Sequence, residues 1–172
     1  MKKRKKLKAM TKEQQEQDFL DMIATQKRTI YKVCYVYAKD EDDLNDLFQE
    51  VVLNLWKGFP RYRGDSLLTT WVYRISVNTC ITFLRRSATR PKTTALTTDV
   101  IRLAAEEENK TGQLQELYRL INQLGTLERA LILLWLEERS YQEMADILGI
   151  SKNIVAVKLS RIKEKLKRMS DK

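Results

Sequence analysis

Apolar residues recur along most of this chain at spacings of three and four and almost nowhere at two, the period of helices that each bury one face. A first stripe, Phe19, Ile23, Ile30, Val33, Cys34 and Tyr37, predicts a long helix broken near the acidic run from Asp40 to Asp43. Leu44, Leu47, Phe48, Val51, Val52, Leu55 and Trp56 then predict a second helix with a clean buried face. Gly58 and Pro60 end it, a polar loop follows, and a third helix is expected from Leu68 to Arg86.

From residue 87 to 112 the chain turns Thr-rich, contains the Arg90-Pro91 break and passes from basic to acidic, as a linker would. Helical periodicity returns over 113–172 in four short segments, divided at Gly125-Thr126, at Arg139-Ser140 and at Gly149-Ile150-Ser151. Residues 1–16, basic and then rich in Gln and Glu, lack an apolar stripe and read as a tail before an N-terminal domain over 17–86. The expected fold class is all-α: two small helical domains joined by a flexible linker.

The C-terminal domain carries the sharpest local pattern. Ser140 with Glu143 three residues on forms a capping box, and Ala145 lies four residues before Gly149, where two helices can cross closely around a tight turn. Ser151 can cap the next helix, whose seam is Val155, Leu159, Ile162, Leu166 and Met169. This is helix-turn-helix spacing. Asn153, Val157, Ser160, Arg161, Glu164 and Arg168 point away from the seam. Asn and Arg can pair with base edges, Val157 can touch a thymine methyl, and Lys152, Lys158 and Lys163 can reach phosphates. An ordinary helical hairpin with a solvated face would carry part of this pattern.

The third helix aligns Trp71, Arg74, Asn78, Thr82 and Arg85 in one strip, leaving Val72, Tyr73, Ile75, Val77, Phe83 and Leu84 on a broad apolar side. An aromatic ring among arginines and an asparagine suits single-stranded nucleic acid, and the loop with Arg61, Tyr62, Arg63, Gly64, Asp65 and Ser66 could enclose a base turned out of the stack. A core tryptophan with solvating arginines is the plain alternative. The second helix presents a different face: Asp43, Asp46, Gln49, Glu50 and Asn54, preceded by Asp40, Glu41 and Asp42. Such a surface fits a basic protein partner, or merely complements the helix dipole.

Charge sharpens the choice of partner. Thirty-two Lys and Arg against 23 Asp and Glu leave +9, which favours a polyanion. There is no histidine, and Cys34 and Cys80 show no metal-ligand spacing, so no metal, cofactor or disulfide is expected, and both cysteines read as buried and reduced. A nuclease holding a metal on Asp42, Asp43, Asp46 and Glu50 would need a second acidic cluster. No apolar run approaches the roughly 20 residues of a membrane span, and the basic start leads into no signal-like core, so a cytoplasmic protein without membrane insertion is expected.

The motifs DEDDLNDLFQEVVLNLW, YRGDSLLTTWVYRISVNTCITFLRR and LGTLERALILLWLEERSYQEMADILGISKNIVAVKLSRIKEKL, in that order, resemble regions two and four of extracytoplasmic-function sigma factors of the sigma-70 family. The resemblance implies a non-enzymatic transcription initiation factor that binds core RNA polymerase and directs it to promoter DNA. Asp43, Leu44, Asp46, Leu47, Gln49 and Glu50 would engage the β′ clamp helices, and the segment around Leu127 to Leu136 would sit near the β flap. Arg61, Arg63, Asp65, Ser66, Trp71, Arg74, Asn78 and Arg85 would serve recognition and melting of the −10 element, capturing non-template-strand bases. Ser151, Lys152, Asn153, Val157, Lys158, Ser160 and Arg161 would read the −35 element as duplex. An anti-sigma factor is a further expected kind of partner. Thr82 and Ala156 depart from residue types frequent in that family, at the third helix and the recognition helix respectively. A repressor acting on duplex DNA alone would leave the acidic helix and the Trp71 strip unexplained.

Overall fold

The computed structural model describes residues 10–87 and 112–172. The start of the expected tail and the body of the expected linker lie outside the described residues. Among those described there are seven α-helices and no strand: α1 (Lys12–Tyr37), α2 (Glu41–Gly58), α3 (Leu68–Ser87), α4 (Gly112–Ile121), α5 (Thr126–Leu136), α6 (Tyr141–Leu148) and α7 (Lys152–Ser170). A single 3-10 turn, Phe59–Arg61, follows α2.

The first helix starts earlier than its apolar stripe. The Thr11 side chain accepts the Gln14 N–H at 3.2 Å, while Gln14 donates to Asp18 at 2.9 Å and Gln17 to Asp21 at 3.0 Å. Residues 12–16, expected in the tail, are therefore helical through a cap and i,i+4 side-chain pairs rather than an apolar face.

Helices α1, α2 and α3 pack on one another around Val33, Tyr37, Leu47, Val51, Leu55, Val72 and Val77, all essentially inaccessible. Cys34 and Cys80 are free thiols buried in this unit. Burial foremost, with Cys80 beside it, pushes the Cys34 thiol well above its ordinary value, which suits an inert core thiol.

The second unit closes around Ile121, Leu131, Leu134, Met144, Leu159 and Ile162. Its caps are as the residue types dictate. Ser140 Oγ accepts the Glu143 N–H at 3.2 Å while Glu143 accepts the Ser140 N–H at 2.7 Å. Gly149 terminates α6 at φ +66°, a left-handed conformation that disfavours a Cβ, and Ser151 caps α7 at 3.2 Å. Glu128 likewise accepts the Gly125 N–H at 2.9 Å.

These backbone bonds hold the Glu128 and Glu143 carboxyls below the usual carboxylate range. A depressed folded pKa means stability present above the unfolded value and lost as pH falls through the folded one. Glu143→Gln should therefore flatten the acid limb of a thermal-midpoint titration. An acid limb identical to that of the parent would show that the cap carboxylate adds nothing pH-dependent.

The two units also touch. Helix α1 lies against α5, and α3 against α6, so their apolar clusters merge into one core.

Candidate nucleic-acid interface

On α7 the two faces separate cleanly. Val155, Leu159 and Ile162 are buried against α5 and α6, whereas Ser151, Lys152, Asn153, Val157, Lys158, Ser160 and Arg161 are all exposed. Val157 is 52% exposed and its neighbour one turn back, Ile154, 43%. Two β-branched side chains left in water on an otherwise polar, basic face form a small apolar spot on the exposed side of α7. The sequence pattern missed Ile154, although its spacing of three from Val157 was there to be read. Lys163 is placed elsewhere: its ammonium sits 4.1 Å from the centre of the Trp135 ring.

The strip on α3 is less uniform. Asn78 and Arg85 are exposed, as are Arg61, Arg63 and Asp65 in the preceding loop, with Ser66 half-buried. The loop turns at Gly64, φ +76°, and is closed by the Tyr62 hydroxyl donating to Ser66 O at 2.7 Å. Leu67, at its end, is 70% exposed, and no periodicity argument had marked it.

Trp71 is half-buried. Its ring lies 5.0 Å from that of Tyr62 and 6.5 Å from that of Phe59, and a Cβ on Gly58 would come within 3.2 Å of it. The absence of a side chain at Gly58 thus lets the indole wedge against the end of α2. Trp71 supports the loop from beneath, with part of its surface left to a partner. Arg74 is turned to another use: its guanidinium donates to the backbone carbonyl of Asp146, in the first helix of the helix-turn-helix, at 2.9 Å.

The acidic face of α2 is built on a capped start, where Asp40 accepts the Asp43 N–H at 2.8 Å. Asp43, Asp46, Gln49 and Glu50 are half-buried and reachable, and Leu53, 46% exposed, adds an apolar contact among them. Leu44 and Leu47 are a correction to the sequence reading. At 8% and 0% exposure they face the core, holding α2 in place and offering no side chain to a partner.

Asn54 donates to the Thr79 hydroxyl at 3.0 Å, joining α2 to α3. Beside this bond an open groove of about 360 Å³, with Glu50 and Lys57 on one side and Asn78 and Arg86 on the other, connects the acidic face to the α3 strip. Among the described residues no three acidic or cysteine side chains converge to hold a metal, and no helix is long and apolar enough to cross a membrane.

Two family models match the chain, Sigma-70 region 2 over residues 22–90 and Sigma-70 region 4 over residues 114–166. It is 30% identical over 139 residues to the ECF RNA polymerase sigma-E factor of Escherichia coli, covering 71% of each chain. To RNA polymerase sigma factor SigV of Bacillus subtilis it is 25% identical over 140 residues, covering 81% of this chain and 82% of that one. Against the ECF RNA polymerase sigma factor SigG of Mycobacterium tuberculosis the match is 37% over 79 residues and spans only 21% of that longer protein. Two solved structures share the fold. The sigma factor RpoE of Bartonella quintana, in complex with the anti-sigma factor NepR, superposes with a TM-score of 0.70 at 18% identity over 90% of this chain and 98% of that one. CnrH, in complex with the cytosolic domain of CnrY, gives 0.66 at 21% identity over 91% and 89%.

Proposed function

The chain belongs to the extracytoplasmic-function family of sigma-70-type factors, non-catalytic specificity subunits of RNA polymerase, and on that premise we propose how its surfaces divide the work of promoter recognition. The acidic face of α2, Asp43, Asp46, Gln49 and Glu50 with Leu53, docks on the clamp helices of the polymerase β′ subunit. The loop from Arg61 to Leu67 and the α3 strip of Trp71, Arg74, Asn78 and Arg85 open the −10 element and hold its non-template strand. The exposed face of α7 reads the −35 element as duplex, and the apolar end of α5, with Trp135 and Leu136 each more than a third exposed, rests near the β flap. The work is done in the cytoplasm, where polymerase and promoter meet.

The observation that carries this reading is the division of α7, in which Ser151, Lys152, Asn153, Val157, Lys158, Ser160 and Arg161 are exposed and the seam of Val155, Leu159 and Ile162 is buried. Duplex contacts fix position, while binding free energy toward displaced bases offsets the few kcal/mol that unstacking costs. Linking two weak contacts through one polymerase raises the effective concentration of each.

Gel filtration with core polymerase, followed by permanganate footprinting of promoter DNA, tests the whole scheme. Co-elution, and thymine reactivity at −10 that needs both components, are expected. Tight duplex binding by the free protein without co-elution would favour a repressor.

Val157 and Ile154 supply a finer prediction. Deoxyuridine in place of thymine in the −35 element removes only the C5 methyl. If these side chains cover one such methyl, worth roughly 0.8 kcal/mol, holoenzyme binding should weaken about fourfold. Val157→Ala should bind both DNAs alike, and equal binding of the two by the parent protein would rule the contact out.

A partner that clasps both domains would silence the factor by covering these surfaces. The two structural neighbours were each solved with a protein partner, described in one case as an anti-sigma factor.

A further inference from the structure

Helix α5 packs on α7, and in its first turn Glu128 meets a row of cations on the flank of that helix. Lys158, Arg161, Lys165 and Arg168 are spaced i, i+3, i+7 and i+10, which sets them along one side of α7 over roughly 15 Å. All four are exposed. Lys158 and Arg161 belong to the −35 reading face, and Lys165 and Arg168 continue their line toward the C-terminus. On a helix lying in a DNA groove, such a row runs beside a strand of phosphates.

Two carboxylates oppose the row, and they are held differently. Glu164 reaches Arg168 at 3.6 Å within α7, with the two side chains 67% and 79% exposed, a surface pair of little energetic weight that can swing apart. Glu128 is anchored. Its Oε2 accepts both the Gly125 N–H at 2.9 Å and the Lys165 ammonium at 3.1 Å, and its side chain is 33% exposed. The Gly125 bond foremost, with Lys165 and the charge of Lys158 behind it, holds this carboxyl below the usual carboxylate range, so it is ionised at neutral pH. The capping box that starts α5 thus fixes a negative charge against the middle of a phosphate-facing row. A phosphate approaching Lys165 must draw the ammonium from a carboxylate that cannot swing away, and must then lie beside that carboxylate.

We propose that Glu128, which lies outside the helix-turn-helix, is an affinity-setting residue: it withholds Lys165 from the DNA backbone and so limits the grip of α7 on duplex of any sequence. The inference rests on the reading of α7 as the helix that binds −35 duplex. Phosphate contacts carry no sequence information. With one of them withheld, base contacts carry a larger share of the binding free energy, and non-promoter DNA is released sooner.

The test is Glu128→Gln, which removes the charge while its amide oxygen can still accept the Gly125 N–H, so the cap is kept. Holoenzyme binding is measured against salt on duplex promoter DNA and on a duplex of equal length with a scrambled −35 element. Lys165, once released, adds one phosphate contact. The slope of log K against log salt should steepen by about 0.9 on both duplexes, with binding tighter by about tenfold at about 50 mM salt and about threefold at about 200 mM. Lys165→Gln in the Glu128→Gln background should return the slope to the parent value, and Lys165→Gln alone should leave it there. An unchanged slope in Glu128→Gln, a steeper slope that survives the loss of Lys165, or a shallower slope for Lys165→Gln alone would each overturn the proposal. Arg161→Ala in the otherwise wild-type factor is followed in parallel and should weaken promoter binding. No loss there would instead strike the assignment of α7 to the −35 element.

Discussion

Reversing Asp43 and Glu50 to lysine together is expected to reduce affinity for core RNA polymerase by about a hundredfold, measured by anisotropy of labelled protein or by loss of co-elution. Both side chains are half-buried on one face of α2, reachable by a partner yet not part of the core. Complementary charge across an interface sets register and rejects wrong partners, and juxtaposed like charges cost several kcal/mol, of which about 2.8 kcal/mol is a hundredfold. The substitution at Asp43 also places a cation in the first turn of a helix capped by Asp40, which costs the fold at most about 1 kcal/mol. Glu50 lies mid-helix and carries no such penalty. A Glu50→Lys variant therefore isolates the interface. Its thermal midpoint should stay near that of the parent while polymerase binding falls by about tenfold. Unchanged binding in both variants would move the polymerase surface off α2.

That face was legible in the sequence because burial and exposure alternate on α2 with helical period, and the charged residues fall opposite the apolar stripe. What the pattern could not resolve is which apolar residues within a functional motif belong to the core. Leu44 and Leu47 look like contact residues when read as part of a charged motif, but the period that marks the stripe also buries them. Leu53 falls outside that stripe and is the apolar side chain that is exposed.

The helix-turn-helix was legible nearly to the residue, since caps and a left-handed glycine are local devices. The start of helix α1 was not, because residues 12–16 are held by a cap and polar pairs that leave no apolar signature. Least legible was the closure of one domain on the other. Arg74 and the carbonyl it bonds are 72 positions apart, and a carbonyl acceptor is the same for every residue type. No pattern of side chains can announce it.

Leu159 and Val157 put the two faces of α7 to a direct comparison. Leu159 is fully buried in the seam, and Val157, two residues earlier, is 52% exposed. Truncating a fully buried leucine removes its transfer free energy and leaves a cavity, so Leu159→Ala should destabilise the protein by about 3 kcal/mol in urea unfolding. Val157→Ala removes a side chain that water already reaches and should change stability by no more than about 0.5 kcal/mol. Their effects on promoter recognition should be of different kinds. The Leu159 variant loses −35 binding for every sequence, because the helix that carries the whole reading face is no longer held on α5 and α6. The Val157 variant keeps its fold and loses only discrimination at the thymine it covers. Equal destabilisation by the two substitutions would mean that α7 is rotated from the orientation described, and the assignment of its outward face to DNA would then have to be redrawn.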